Sequence, residues 1–109
     1  MLLSECPVRA MIDVIDAKWK PIVIDALKVG KRGFGELHRE VPEASKKVLI
    51  AQLRQLEADG IIARRPSGLS WERVEYSLTP YGKTLLLVLN RMATWGARHR
   101  KMLSHGSSL

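Results

Sequence analysis

Between Ser45 and Gly60 the residues Leu49, Leu53 and Leu56 recur at helical spacing, within a stripe of about 60° on a wheel. Further on, Val74, Tyr76 and Leu78 alternate, the pattern of a half-buried strand. A chain that switches period in this way has to fold helices and strands onto one core. Ser45 at the N-cap and Gly60 just past the end bound the helix. The segments "IIARR" and "RVEYSLT" flank "PSGLSWE", a loop rich in turn residues, and together predict a β-hairpin.

Helices are predicted on both sides of this unit. Pro7 suits the first position of a helix that ends near Asp16. A second helix runs from about Lys18 to Gly30, with Trp19, Ile22, Val23, Ala26 and Leu27 on one face and Pro21 tolerated in its first turn. "FGELHREV" is a short third helix presenting Phe34, Leu37 and Val41, and Pro42 stops it. Thr79 caps a long final helix with Pro80 at its first position. This order predicts a mainly α fold with a small β-hairpin, a winged helix-turn-helix with a C-terminal dimerisation helix. A chain of 109 residues is sized for one domain, 1–109, with its N- and C-terminal helices at the dimer interface.

Composition narrows the function. Hydrophobic residues make up 46% and charged residues 27%, a folded rather than a disordered balance. No apolar run approaches the roughly 18 residues of a membrane span, and the start has no signal-peptide pattern. The single cysteine, Cys6, excludes an intrachain disulfide, and a cytoplasmic protein without a membrane partner is expected. His38, His99 and His105 fall on different elements, and no catalytic, zinc, P-loop or dinucleotide pattern is present. An enzyme is not expected, and neither is a cofactor or a metal.

The net charge is +7, which favours an anionic partner. Charges balance up to Gly30, residues 31–73 carry a small basic surplus, and beyond Glu75 basic residues stand without an acid. Lys46 and Lys47 occupy the first turn of the central helix, where the dipole disfavours each cation by about 0.3–1 kcal/mol at low salt. Phosphates arriving at that end would make both lysines favourable. The face opposite the leucines carries Lys47, Ala51, Arg54 and Ala58, flanked by Ile50 and Gln55, and is narrow enough for a major groove. Candidate DNA contacts are therefore Ser45, Lys46, Lys47, Ile50, Ala51, Arg54 and Gln55. Lys31 and Arg32 before the third helix and Arg64, Arg65 and Arg73 on the hairpin join them. The plainer readings are solvated lysines and arginines that protect a sheet edge, with Trp71 packed beneath the wing.

The succession "CPV", "KW", "GFGELHREVP", "SKKVL", "QLEADGII" and "RVEYSLTPYG" resembles the HxlR-type winged-helix transcriptional regulators, relatives of the MarR group. The resemblance covers roughly Cys6 to Trp95. It implies a homodimer on an inverted-repeat DNA site, with Ser45–Gln55 in the recognition helix and the hairpin as wing. Three departures stand out. Asp16 and Ala17 replace a frequent glycine pair, Gly33 and Gly35 replace an arginine and a serine, and the wing reads "SWERVEY" where relatives often carry prolines.

The final helix holds five consecutive apolar residues, Leu85 to Leu89, more than one domain has surface to bury. Leu85, Leu86, Val88, Leu89, Met92 and Trp95 are the expected contacts of a two-fold homodimer. Cys6 precedes Pro7 and the first helix, with Arg9 close by, where an anionic sulfur is favoured. The family resemblance includes thiol-based sensors with a cysteine at this "CP" position. The expected partners are double-stranded DNA with a palindromic operator, a second copy, and a small-molecule or electrophile effector acting through redox sensing at Cys6. The alternative is a winged-helix adaptor that binds protein or RNA without operator recognition.

Overall fold

The structure, a computed structural model, describes residues 5–66 and 74–107. Five helices and three short strands follow one another: α1 (Pro7–Ile15), α2 (Lys20–Ala26), β1 (Arg32–Gly33), α3 (Phe34–Glu40), α4 (Lys46–Ala58), β2 (Ile62–Pro66), β3 (Val74–Leu78) and α5 (Pro80–Ser107). A 3₁₀ turn, Leu27–Val29, closes α2. The winged helix-turn-helix expected from the sequence is present, with α3 and α4 as the helix-turn-helix and β2–β3 as the wing.

The sheet has one more strand than the sequence predicts. β3 lies in the middle of an antiparallel sheet, ordered β1-β3-β2, with Arg32 opposite Tyr76 and Gly33 opposite Glu75. Two residues are too short to display a period, so the strand is invisible to pattern reading. Its effect is to hold the start of α3 against the wing. β2 pairs with β3 through Ile62–Leu78, Arg64–Tyr76 and Pro66–Val74 on one face, and through Ala63–Ser77 and Arg65–Glu75 on the other.

The core lies where α2, α3 and α4 meet the inner face of this sheet. Val23, Ile24, Leu27, Leu37, Val41, Leu49, Leu53, Leu56, Ile61 and Ile62 are all buried, and Leu85, Leu86 and Leu89 of α5 pack against them. The three leucines of α4 are the expected core stripe, and Tyr76 and Leu78 are the buried half of the β3 alternation. Between α3 and α4, His38 Nε2 donates to the Ala44 carbonyl at 2.8 Å, fixing the turn of the motif.

The end of α4 is tied to the start of α5. Ile61 N–H donates to Leu56 O and Gly60 N–H to Glu57 O, both at 3.0 Å, a Schellman closure with Gly60 at φ +75°. Thr79 N–H then donates to Ile61 O at 3.0 Å, and its hydroxyl donates to Gly60 O at 2.6 Å. Thr79 Oγ1 also accepts from Gly82 N–H at 2.9 Å and so caps α5. At Gly82 an added Cβ would stand 2.0 Å from Ile61 O, so only glycine admits this approach. From that anchor α5 runs 28 residues, about 42 Å at 1.5 Å per residue, and carries its distal half beyond the domain.

Candidate nucleic-acid interface

Ser45 caps α4 as expected: its Oγ accepts from Val48 N–H at 3.1 Å. With Leu49, Leu53 and Leu56 buried beneath, α4 presents Lys46, Lys47, Ala51, Arg54 and Gln55 to solvent. Its first turn contains no acid, and neither Lys46, Lys47 nor Arg54 has an ion-pair partner among the described residues. The helix therefore offers free N–H groups and two free ammonium groups at the same end, an arrangement that binds anions. Ile50 and Val48 are partly exposed apolar residues on the flanks, able to meet a thymine methyl.

The structure divides the exposed side of α4 in two. Ile50, Arg54 and Glu57, spaced i, i+4 and i+7, line a cleft that faces the wing. Lys47, Ala51 and Gln55 make the adjoining exposed row. Strand register divides the wing arginines likewise. Arg64 shares the inner face with Ile62 and Tyr76 and lines the same cleft, whereas Arg65 stands on the outer face opposite Glu75. Arg73 and Trp71 lie outside the described residues.

Lys31 and Arg32 occupy different environments despite being neighbours. Lys31 is exposed and its Nζ lies 3.3 Å from a Glu75 carboxylate oxygen, which holds it beside the wing. Arg32 is partly buried: its Nε donates to the Ala26 carbonyl at 3.1 Å, and a terminal nitrogen lies 3.7 Å from Glu36. Glu36 in turn accepts from Gly33 N–H at 3.2 Å. Arg32 thus braces the ends of α2 and α3 against β1, leaving only part of its donor set for phosphate.

The apolar surface expected on α5 splits as well. Leu85, Leu86 and Leu89 are partly buried against the chain's own core, while Val88, Met92 and Trp95 are exposed. Leu87, which the sequence reading left out of this set, is 68% exposed, and Trp95 is 67% exposed with its ring stacked on His99 at 5.0 Å. α1 contributes an unpaired apolar face too: no residue of this helix is buried, and Val8 and Ile12 are exposed. The i, i+3, i+4, i+7 spacing of Val8, Met11, Ile12 and Ile15 was the available signal for it. Cys6 is half-buried at the N-cap of α1, where its carbonyl accepts from Ala10 N–H at 3.0 Å. Arg9 is turned to Asp13, with Nε 3.2 Å from the carboxylate.

A capped helix with an exposed basic face, set on a helix-turn-helix and flanked by a β-wing, defines a winged-helix DNA-binding protein. The model of the HxlR-like helix-turn-helix family matches residues 14–104. The chain belongs to that family and is a helix-turn-helix transcriptional regulator. The uncharacterized HTH-type transcriptional regulator YybR of Bacillus subtilis is 42% identical over 98 residues, covering 90% of this chain and 78% of that one. Among solved structures, the redox regulator HypR in its reduced form superposes with a TM-score of 0.85 at 40% identity, covering 92% of this chain and 99% of that one. Diamide-treated YodB from B. subtilis gives a TM-score of 0.72 at 28% identity, covering 85% of this chain and 93% of that one. No helix among the described residues is long and apolar enough to cross a membrane.

Proposed function

We propose that the chain acts as a homodimer on an inverted-repeat operator in the cytoplasm, with thiol chemistry at Cys6 controlling its occupancy of DNA. The observation that carries the reading is the pair of unpartnered lysines at the N-terminus of α4, on a helix whose other face is core. In this reading Lys46, Lys47 and Ser45 meet backbone phosphates, and Ala51, Gln55 and Ile50 meet base edges. Arg54 and Arg64 hold the strand that passes between helix and wing, with Lys31, Arg65 and Arg73 on the flanking backbone.

The exposed apolar faces of α1 and α5 support a two-fold interface, which sets two recognition helices about 34 Å apart. Redox control draws on the likeness to HypR, whose structure is described as that of a redox regulator. With one cysteine per chain, a peroxide oxidises the Cys6 thiolate to the sulfenic acid as its own O–O bond breaks, and the sulfenic acid then condenses with a second thiol to a disulfide, releasing water. That thiol comes from a second copy or from a small cellular thiol.

Selection from a random duplex library at near-physiological salt, with reduced protein, tests the reading. The expected result is enrichment of an inverted repeat with half-sites one turn apart, bound more weakly after oxidant in wild type but not in Cys6→Ser. No enrichment by a folded dimer overturns the operator reading in favour of an adaptor, and an unchanged oxidant response in Cys6→Ser overturns the thiol reading.

A further inference from the structure

The two rows on the exposed side of α4 differ in chemistry. Arg54 and Glu57, the row's only ionic groups on the wing side, line the cleft beside Arg64. The other row runs Lys47, Ala51, Gln55 and then Ala58. Lys47 lies in the first turn, at the helix end that draws phosphate. What this row leaves for base edges is one carboxamide among methyl groups. α4 has a second glutamine, Gln52, but it is half-buried with its amide oxygen enclosed. Gln55 is exposed, and its amide has no hydrogen-bond partner among the described residues.

In the major groove, arginine or lysine reads guanine and an acid reads the cytosine amino group. Adenine takes a bidentate Asn or Gln, and thymine takes an apolar contact on its methyl. Past Lys47 the row carries neither a cation nor an acid, so it matches A·T pairs and offers nothing to G·C. We propose that Gln55 sets the base preference of this regulator by pairing with an adenine, while Ala51 and its neighbour Ile50 touch thymine methyls, giving each half-site an A·T core. The assignment rests on the operator reading, in which α4 enters the major groove. Ala51 and Gln55 stand about 6 Å apart along the helix axis, close to two base-pair steps of roughly 3.4 Å.

The test repeats the duplex selection with Gln55→Arg and rebuilds the wild-type site with altered bases. Wild type should enrich A·T at the core of each half-site, and Gln55→Arg should turn one adenine per half-site into guanine. Placing G·C at that pair should cost wild type about ten-fold in affinity. There, 7-deazaadenine, which lacks the N7 acceptor, should cost about five-fold. Uracil in place of a core thymine removes one methyl and should cost about four-fold. Lys47→Gln should weaken all duplexes alike and leave the preferred bases unchanged.

A repeat with a G·C core, or a preference that Gln55→Arg does not alter, overturns the assignment and leaves the operator reading standing. Undiminished binding to the deazaadenine duplex removes Gln55 as the reader, and undiminished binding to the uracil duplex removes the methyl contacts. Both duplexes use the wild-type chain, so they decide the matter even if Gln55→Arg fails to fold. An absence of any enriched repeat overturns the operator reading and this assignment together.

Discussion

The hydroxyl of Thr79 lies 2.6 Å from the carbonyl oxygen of Gly60 and donates to it, joining the residue that closes α4 to the residue that opens α5. Since the same hydroxyl caps Gly82 N–H, one side chain serves both helices. Through this joint the orientation of α4 is linked to α5, the helix that carries most of the unpaired apolar surface. Thr79→Val keeps the shape and removes the hydroxyl. It should cost about 1–2 kcal/mol in urea unfolding, and Thr79→Ser should restore most of that.

Gly82 and Gly35 should respond to alanine with opposite signs. Gly82→Ala drives a methyl into the Ile61 carbonyl, a backbone atom that cannot turn aside, and should destabilise by about 3 kcal/mol. In α3, a Cβ on Gly35 meets only the Arg39 side chain at ordinary contact distance. Gly35→Ala should therefore stabilise by about 0.5–1 kcal/mol. The urea midpoints of the two variants check both signs.

Removing the cations at the start of α4 should strengthen the free protein and weaken its complex. Lys46→Gln and Lys47→Gln each relieve a charge opposed by the helix dipole, worth about 0.3–1 kcal/mol at low salt. Each should also lower the slope of log affinity against log salt by about 0.9 if the lysine meets a phosphate. Thermal melts and salt-dependent binding of the selected duplex are the measurements. A rise in stability with an unchanged salt slope would return these lysines to solvent.

Val88→Asp and Leu86→Asp, two residues apart on α5, should fail in different ways. Val88 is exposed, so its aspartate should yield a folded monomer by sedimentation. Leu86 packs on the chain's own core, where an unpaired charge should unfold the domain instead. A Val88→Asp dimer as tight as wild type would move the interface elsewhere.

Arg32→Gln removes the bond to the Ala26 carbonyl and the nearby Glu36 contact, and should cost about 1 kcal/mol of stability. Lys31→Gln, whose exposed ammonium meets Glu75 at the surface, should change stability by less than about 0.5 kcal/mol. Paired urea titrations compare them.

The sequence by itself determined the order of the helices and the hairpin, the α4 boundaries and the core faces of α3, α4 and β3; on α2 the expected face included Ile22, which is exposed, and omitted Ile24, which is fully buried. Ser45, Gly60, Thr79 and Pro80 act through bonds to near neighbours, and the leucines of α4 and the alternation of β3 act through periodicity, so each is legible locally. Only the tertiary structure decided how the charged residues are used. The pairing of two-residue β1 with β3 turns Arg32 inward, and strand register sends Arg64 toward α4 and Arg65 away. Packing of α5 on the core divides Leu85, Leu86 and Leu89 from Leu87, Val88 and Trp95. These outcomes depend on contacts between segments far apart in the chain. A local pattern of residues carries no record of which distant backbone will supply a carbonyl, a carboxylate or a covering face.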